Sequence, residues 1–210
     1  MLYGALRRII DPPLAAMARP LARAGIGANA VTLGGFAIGM LALPLLAVGA
    51  YGWALLAILA NRLGDGLDGA LARQREASDL GAYLDIVCDF IFYGAVVFGF
   101  VLASPENALP GAFLLLTFIG TGGSFLAFAT LAARRGLQTT ARGSKSLYYL
   151  GGLTEGTETI GVFVVCCLFP QSFGIVAWIF GAACCATTLT RVLTSWQMLR
   201  GVPSSKATGQ

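Results

Sequence analysis

Long apolar segments with few charged residues are the feature that most constrains how this chain can fold. Its 210 residues are 57% hydrophobic and only 11% charged, whereas a soluble domain contains about 25% charged residues. An apolar run of roughly 20 residues is long enough to cross a bilayer as a helix. Six such runs follow one another, at 31–50, 53–73, 81–103, 109–133, 146–169 and 173–199. We therefore predict an all-α polytopic membrane protein with six transmembrane helices.

The same composition excludes several classes of function. The apolar excess is not that of a nucleic-acid-binding module, a secreted disulfide scaffold or a disordered tail. The chain contains no histidine, so catalysis by histidine and zinc ligation by histidine are also excluded.

Most basic residues lie in alternate connections between the predicted spans or at the two ends of the chain. The first, third and fifth loops contain no Lys or Arg. The other connections and the two ends contain the basic side chains Arg7, Arg8, Arg19, Arg23, Arg73, Arg75, Arg134, Arg135, Arg142, Lys145, Arg200 and Lys206. Because basic residues in short loops stay on the cytoplasmic side, both termini are predicted to be cytoplasmic.

The chain divides into three parts by composition. Residues 1–30 form a predicted N-terminal amphipathic juxtamembrane segment, residues 31–200 the six-helix domain, and residues 201–210 a polar cytoplasmic tail. The first part mixes Leu, Ile and Ala with four arginines and with Pro12, Pro13 and Pro20. This pattern predicts one or two short helices that lie in the inner membrane interface.

Four aspartates, Asp65, Asp68, Asp85 and Asp89, lie within the second and third predicted spans. Each costs about 2.5–3.5 kcal/mol near the bilayer centre, so their presence indicates a function. The spacings i,i+3 and i,i+4 place each pair on one helix face. Since a short loop makes the two spans antiparallel neighbours, all four carboxylates can meet. Two divalent cations would neutralise the four carboxylates, and ligands that are all oxygen suit Mg²⁺ or Mn²⁺. Pairs of such metal ions are commonly used by enzymes that transfer phosphoryl groups.

Small residues stand one helical turn from these aspartates, at Gly69, Ala72 and Gly81. Taken singly they are typical of close helix packing, and taken together they leave room for a bulky group between the helices. Arg73, one turn beyond Gly69, could pair with a phosphate or could be an ordinary positive-inside arginine.

The stretch from the second to the third span resembles the signature of the CDP-alcohol phosphatidyltransferases, also called CDP-alcohol phosphotransferases. It consists of Asp65-x-x-Asp68-Gly69-x-x-Ala72-Arg73, seven residues, and then Gly81-x-x-x-Asp85-x-x-x-Asp89. All eight signature positions are filled, and the six-span layout extends the resemblance over essentially the whole chain. Within the family, the chain resembles small bacterial inner-membrane members that share a KSLYYLGGLTEGTET-like segment.

The resemblance implies a reaction, a cofactor and a location. A hydroxyl of a small alcohol attacks a CDP-linked lipid, usually CDP-diacylglycerol, and CMP leaves. The four aspartates are then expected to bind two Mg²⁺ or Mn²⁺ ions, and Asp89 is also the expected general base. A multi-pass location in the inner membrane, among its lipids, and a homodimer are further expectations.

The resemblance also assigns contacts to the nucleotide lipid. Gly69 and Arg73 match contact positions, Ser78 is a further expected contact, and Ala72 and Gly81 match positions kept small around the nucleotide. Before the first span the family often has Pro-Asn and a Thr three residues after the Asn, where this chain has Ala28, Asn29 and Thr32. Asn29 and Thr32 are expected either near the nucleotide or as an ordinary helix N-cap.

Further ionisable residues inside or beside the last two spans are not part of the signature. We expect these residues to line a pocket for the acceptor alcohol. The alternative for Glu155, Glu158 and Arg191 is a structural ion pair between the spans. The expected pocket residues are Arg142, Lys145, Glu155, Glu158 and Arg191.

Two other functions are compatible with aspartates in a membrane. A cation or proton transporter also uses intramembrane carboxylates, although transporters usually contain repeats and place charges near the bilayer midplane. A family member that has lost activity and serves as a membrane partner is the other alternative. The crowding of the aspartates at one end of two adjacent spans favours the enzyme.

Overall fold

The structure is a computed structural model that describes residues 2–74, 78–134, 154 and 156–200, with side chains from Pro12 onward. Within these ranges the ordered elements are all helical, with no strand, as predicted. The helices are α1 Leu2–Arg23, α2 Ala28–Met40, α3 Ala42–Ala47, α4 Tyr51–Gln74, α5 Asp79–Ala103, α6 Ala108–Arg134, α7 Gly156–Leu168 and α8 Phe173–Arg200. Short 3-10 turns, Pro105–Asn107 and Pro170–Ser172, precede α6 and α8.

Four stretches of the described chain are long and apolar enough to cross a membrane: Ala28–Ala47, Asp79–Ala103, Pro105–Arg134 and Pro170–Arg200. Two other helices were predicted as spans. α7 is apolar but comprises 13 residues, and most of the predicted span before it lies outside the described residues. α4 is long enough at 24 residues but carries charged side chains in its second half.

The bounds of four predicted spans agree with the observed helices to within two residues, whereas the first predicted span, 31–50, is divided into α2 and α3. The break is at Leu41, whose N–H bonds to the carbonyl of Ile38 at 3.1 Å. Pro44 lacks an N–H and cannot bond to the carbonyl of Met40 four residues earlier, so a continuous helix is interrupted there. Before α2, α1 forms one helix through Pro12, Pro13 and Pro20.

Phenylalanine rings form the centre of the core. Phe92, Phe100, Phe163 and Phe173 are at most 1% exposed. The rings of Phe100 and Phe173 stack with centroids 4.7 Å apart, which joins α5 to the start of α8. Many large apolar side chains, by contrast, are exposed on the outside of the bundle. An exterior of that kind fits a lipid environment, since lipid tails are as apolar as leucine.

Glycine contacts bring α2 and α4 together and so set the position of the aspartates on α4. A Cβ at Gly64 would lie 3.1 Å from the Cα of Gly35, so the two backbones are in close contact. On another side of α4, Leu14 of α1 belongs to the same buried cluster as Leu71. The second half of α4 is therefore held between α1 and α2, with α5 following it across a short connection.

Candidate active site

Three of the four aspartates form one acidic cluster. Carboxylate oxygens of Asp65, Asp68 and Asp85 all lie within 4.8 Å of one another. Asp68 is buried, Asp65 is half-buried and Asp85 is exposed, so the cluster reaches from the helix interface to the surface. The i,i+3 spacing on α4 accounts for the first pair, and α5 supplies the third carboxylate.

Thr32 of α2 contacts this cluster directly. Its Oγ1 lies 2.5 Å from Oδ2 of Asp68 and 3.1 Å from the carbonyl oxygen of Ala28. The shorter distance indicates that the hydroxyl donates to the carboxylate. The N-cap of α2 is Gly27, without a side-chain cap, so the N-cap alternative for Asn29 and Thr32 is wrong.

Asn29, Ser78 and Gly81 converge at the start of α5. Ser78 is the N-cap of this helix, and its Oγ accepts a hydrogen bond from the N–H of Gly81 at 3.0 Å. A Cβ at Gly81 would lie 3.0 Å from Oδ1 of Asn29 and 3.1 Å from Oγ of Ser78. Because Gly81 has no side chain, there is room for both polar oxygens beside the start of α5.

Arg73 lies at the end of α4, beside Gly69. A Cβ at Gly69 would be 3.5 Å from Nη1 of Arg73. The guanidinium thus lies along the helix face one turn beyond the acidic pair, and Arg73 is exposed there. Ala72 is half-buried next to it.

Asp89, the fourth predicted ligand, has different partners. Its Oδ1 accepts a hydrogen bond from Nη2 of Arg62 at 2.5 Å, and its Oδ2 accepts one from the hydroxyl of Tyr93 at 3.1 Å. Arg62 also reaches the acidic cluster, with Nη1 at 3.5 Å from Oδ2 of Asp65. In the described part of the chain, the group of carboxylates close enough to share one ion is Asp65, Asp68 and Asp85.

The sequence alone assigned no role to Arg62. A usable signal was present, because Arg62 precedes Asp65 by three residues and so lies on the same helix face. The partner Asp89 is 27 residues away on α5, and choosing it required the relative placement of α4 and α5.

Two of the five residues predicted for the acceptor pocket lie within the described part of the chain. Arg142, Lys145 and Glu155 lie outside the described residues. Glu158 is exposed in the first turn of α7. Arg191 is buried on α8, 8% exposed, where Nη1 donates to the carbonyl oxygen of Thr121 at 3.1 Å.

The donor set of the cluster fits a hard divalent cation. Three carboxylates supply oxygen ligands only, which is the preference of Mg²⁺ and Mn²⁺. Their combined charge exceeds that of the Arg62 guanidinium beside them. The cluster is therefore chemically suited to hold such an ion.

The helices and the acidic cluster define a helical membrane protein with a carboxylate site between two adjacent helices. The sequence model of the family "CDP-alcohol phosphatidyltransferase" matches residues 26–190. This chain belongs to the CDP-alcohol phosphatidyltransferase family.

Two relatives cover nearly the whole chain. The inner membrane protein YnjF of Escherichia coli K12 is 57% identical over 203 residues, which are 96% of this chain and 98% of that protein. The phosphatidylinositol phosphate synthase of Mycobacteroides abscessus is 32% identical over 207 residues, with 91% of this chain and 88% of that protein covered. The predicted resemblance to the family and to its inner-membrane members is confirmed.

Solved structures of a related enzyme have the same fold. The crystal structure of Mycobacterium tuberculosis phosphatidylinositol phosphate synthase with CDP-DAG bound has a TM-score of 0.69 and 25% identity, covering 94% of this chain and 97% of that one. The crystal structure of that enzyme with manganese and citrate has a TM-score of 0.68 and 25% identity, covering 94% and 92%. The similarity extends over almost the full length of both chains.

Proposed function

We propose that this protein transfers a phosphatidyl-type group from CDP-diacylglycerol to the hydroxyl of a small alcohol and releases CMP, as a step of phospholipid biosynthesis. The observation that carries the proposal is the convergence of Asp65, Asp68 and Asp85 within the family signature. A related enzyme of known structure binds CDP-DAG, which supports the choice of donor.

Asp65, Asp68 and Asp85 would hold a divalent cation, Mg²⁺ or Mn²⁺. When bound, such ions stabilise the charge on a transferring phosphoryl group and on its leaving group. The hydroxyl of Thr32, 2.5 Å from Asp68, orients that carboxylate by occupying one of its oxygens. A relative crystallised with manganese supports this assignment. The full set expected from the resemblance is two ions, with Asp89 as the fourth ligand.

The nucleotide end of the donor would bind around the start of α5. Asn29 and Ser78 present polar oxygens beside Gly81, where a Cβ would contact both at 3.0–3.1 Å. The guanidinium of Arg73, which lies along Gly69, would pair with a phosphate through charge-assisted hydrogen bonds. Ala72 and Thr32 complete the proposed donor-binding set.

Asp89 would take the proton of the attacking hydroxyl. The alcohol oxygen forms a bond to the phosphorus that carries the diacylglycerol, the bond from that phosphorus to the oxygen of CMP breaks, and the proton moves to the Asp89 carboxylate. The hydroxyl of Tyr93 and the guanidinium of Arg62 orient this carboxylate. A carboxylate is a weak base, so its position beside the reacting oxygen matters more than its basicity.

The acceptor would bind on the side of α7 and α8. The buried guanidinium of Arg191 is held by the backbone of α6, and a buried cation favours an acceptor that bears a phosphate. Arg142, Lys145, Glu155 and Glu158 are the other residues proposed for this pocket.

The proposed arrangement in the inner membrane has six spans and cytoplasmic termini. α4 packs against α1, α2 and α3, which supports its assignment as a span despite its charges. α7, together with the apolar run that begins at residue 146, would form the fifth span, and α1 would lie in the inner interface. A homodimer is part of the same proposal.

The experiment is product formation from labelled CDP-diacylglycerol by the purified protein in detergent. The acceptors are glycerol 3-phosphate, inositol phosphate, serine and a set of polyols, each with Mg²⁺ or Mn²⁺. We expect one acceptor to give a labelled phospholipid and an equal amount of CMP, with loss of both in Asp89→Asn and a changed acceptor preference in Arg191→Gln. CMP release that is unaffected by Asp89→Asn, or no release with any acceptor, contradicts the proposal.

A further inference from the structure

The hydroxyl of Tyr93 adjoins both the proposed general base and the start of α7. It donates a hydrogen bond to Oδ2 of Asp89 at 3.1 Å. A Cβ at Gly156 would lie 3.0 Å from the same hydroxyl oxygen, and Gly156 is the first residue of α7. One hydroxyl group therefore lies next to the reacting carboxylate on α5 and to the helix on the proposed acceptor side.

Side chains from three other helices hold the ring of Tyr93. Its centroid lies 6.2 Å from that of Phe163 on α7 and 6.5 Å from that of Phe118 on α6. The guanidinium carbon of Arg62, on α4, lies 5.6 Å from the same centroid, and Nη1 of Arg62 is 3.4 Å from the hydroxyl oxygen. Because the hydroxyl is at the end of a rigid ring, it cannot be displaced unless the ring moves against these neighbours.

A methyl group at Gly156 would act on this hydroxyl specifically. Within the described residues, and apart from the chain next to Gly156 itself, the Tyr93 hydroxyl oxygen is the one atom within 4 Å of a Cβ at this position. At 3.0 Å the neighbour must give way by a few tenths of an ångström. The hydrogen bond to Asp89 is already 3.1 Å long, which is at the long end for a bond between two oxygens. A displaced hydroxyl would therefore no longer hold the carboxylate in the same place.

We propose that Gly156 is a positioning residue for Asp89 that acts through Tyr93. The absence of a side chain at the first residue of α7 lets the Tyr93 hydroxyl hold the Asp89 carboxylate in its reactive orientation. The role is the same whether Asp89 only takes the proton or also binds a metal ion, because a carboxylate that accepts a hydrogen bond has further lone pairs for a cation. This inference rests on the proposed function, since it assumes that Asp89 acts in the release of CMP.

The test is a double-mutant cycle on CMP release by the purified full-length protein in detergent, with Mn²⁺ and the acceptor panel. In Gly156→Ala we expect kcat to fall about tenfold at an unchanged KM for CDP-diacylglycerol, because a reacting group is misplaced. Tyr93→Phe should lose about as much, since it removes a hydrogen bond to a charged group. In the double variant Gly156→Ala/Tyr93→Phe, kcat should stay within about twofold of Tyr93→Phe alone, because no hydroxyl is left to displace.

Gly161→Ala is the matched control on the same helix, because within the described residues a Cβ at Gly161 meets nothing within 4 Å. It should keep the wild-type kcat, and its melting temperature should be unchanged or higher, because alanine favours the helix. Gly156→Ala should melt at a similar temperature. A much lower melting temperature for Gly156→Ala would mean that α7 is displaced as a whole, and it would overturn the inference.

The remaining outcomes distinguish this inference from the proposed function. If the two single losses multiply in the double variant, to about 100-fold, Gly156 does not act through Tyr93, and the inference is overturned while the proposed function stands. Wild-type kcat in either Gly156→Ala or Tyr93→Phe has the same meaning. No CMP release by the wild type with any acceptor would overturn both.

Discussion

Thr32 Oγ1 lies 2.5 Å from Oδ2 of Asp68, across 36 residues of sequence. This contact connects the first apolar helix to the acidic cluster, since Thr32 is on α2 and Asp68 on α4. It leaves the other oxygen of Asp68 for the proposed cation, and it gives Thr32 a defined partner where the sequence left its role open.

Replacing Thr32 with valine tests this role, because valine preserves the branched shape and removes the hydroxyl. A hydrogen bond to a charged group contributes about 1.5–3 kcal/mol, so we expect CMP release at limiting Mn²⁺ to fall at least about tenfold. Thr32→Ser retains the donor and should keep most of the activity. Equal activity of the valine variant and the wild type would show that the contact does not serve the site.

A methyl group at Gly81 should impair the reaction without destabilising the protein. The added Cβ would lie 3.0 Å from Oδ1 of Asn29, so Asn29 or Ser78 must move. Alanine is a better helix former than glycine by about 1 kcal/mol, and thermal stability should therefore be unchanged or higher. We expect CMP release to fall at least about tenfold, because a binding group would be misplaced.

Gly34→Ala is the matched control for this variant, because within the described residues a Cβ at Gly34 meets no neighbouring helix or side chain within 4 Å. It should retain wild-type CMP release. If Gly81→Ala is as active as Gly34→Ala, the start of α5 is not part of the donor site.

The packing of α2 on α4 predicts a defect in stability. In Gly64→Ala the new Cβ would lie 3.1 Å from the Cα of Gly35, and a backbone atom cannot move aside as a flexible side chain can. Overpacking of this kind costs about 1–3 kcal/mol, so the apparent melting temperature in detergent should fall. Gly52→Ala lies on the same helix, with open space around it among the described residues, and should melt at the wild-type temperature. Equal melting temperatures for Gly64→Ala and Gly52→Ala would contradict the packing described for α2 and α4.

The sequence predicted the helices of the bundle well because their bounds coincide with changes in polarity. The predicted span 81–103 became Asp79–Ala103, and 173–199 became Phe173–Arg200. The division of the first span at Leu41 depends on one missing N–H, at Pro44, inside an apolar run. Hydropathy alone does not detect such a break.

The acidic cluster was predictable from spacing, and the position of Asp89 was not. Asp65 and Asp68 share a helix face by geometry, and the short connection places α5 beside them. Asp89 lies one turn beyond Asp85 on the same face and was expected to join the cluster. Its pairing with Arg62 depends on side-chain contacts from Asn61 and Phe92, which only the packed helices define.

The most direct test of the account is metal-dependent release of CMP from CDP-diacylglycerol by the purified protein, with the acceptor panel present. We predict release with Mn²⁺ or Mg²⁺, none with a chelator, and a loss of at least about 100-fold in Asp65→Asn, as for removal of one electrostatic group from a reaction centre. Glu106→Gln, in the turn beyond the far end of α5 from Asp85, should behave as the wild type. Release that persists in the chelator or in Asp65→Asn would contradict the claim that the acidic cluster is the reaction centre.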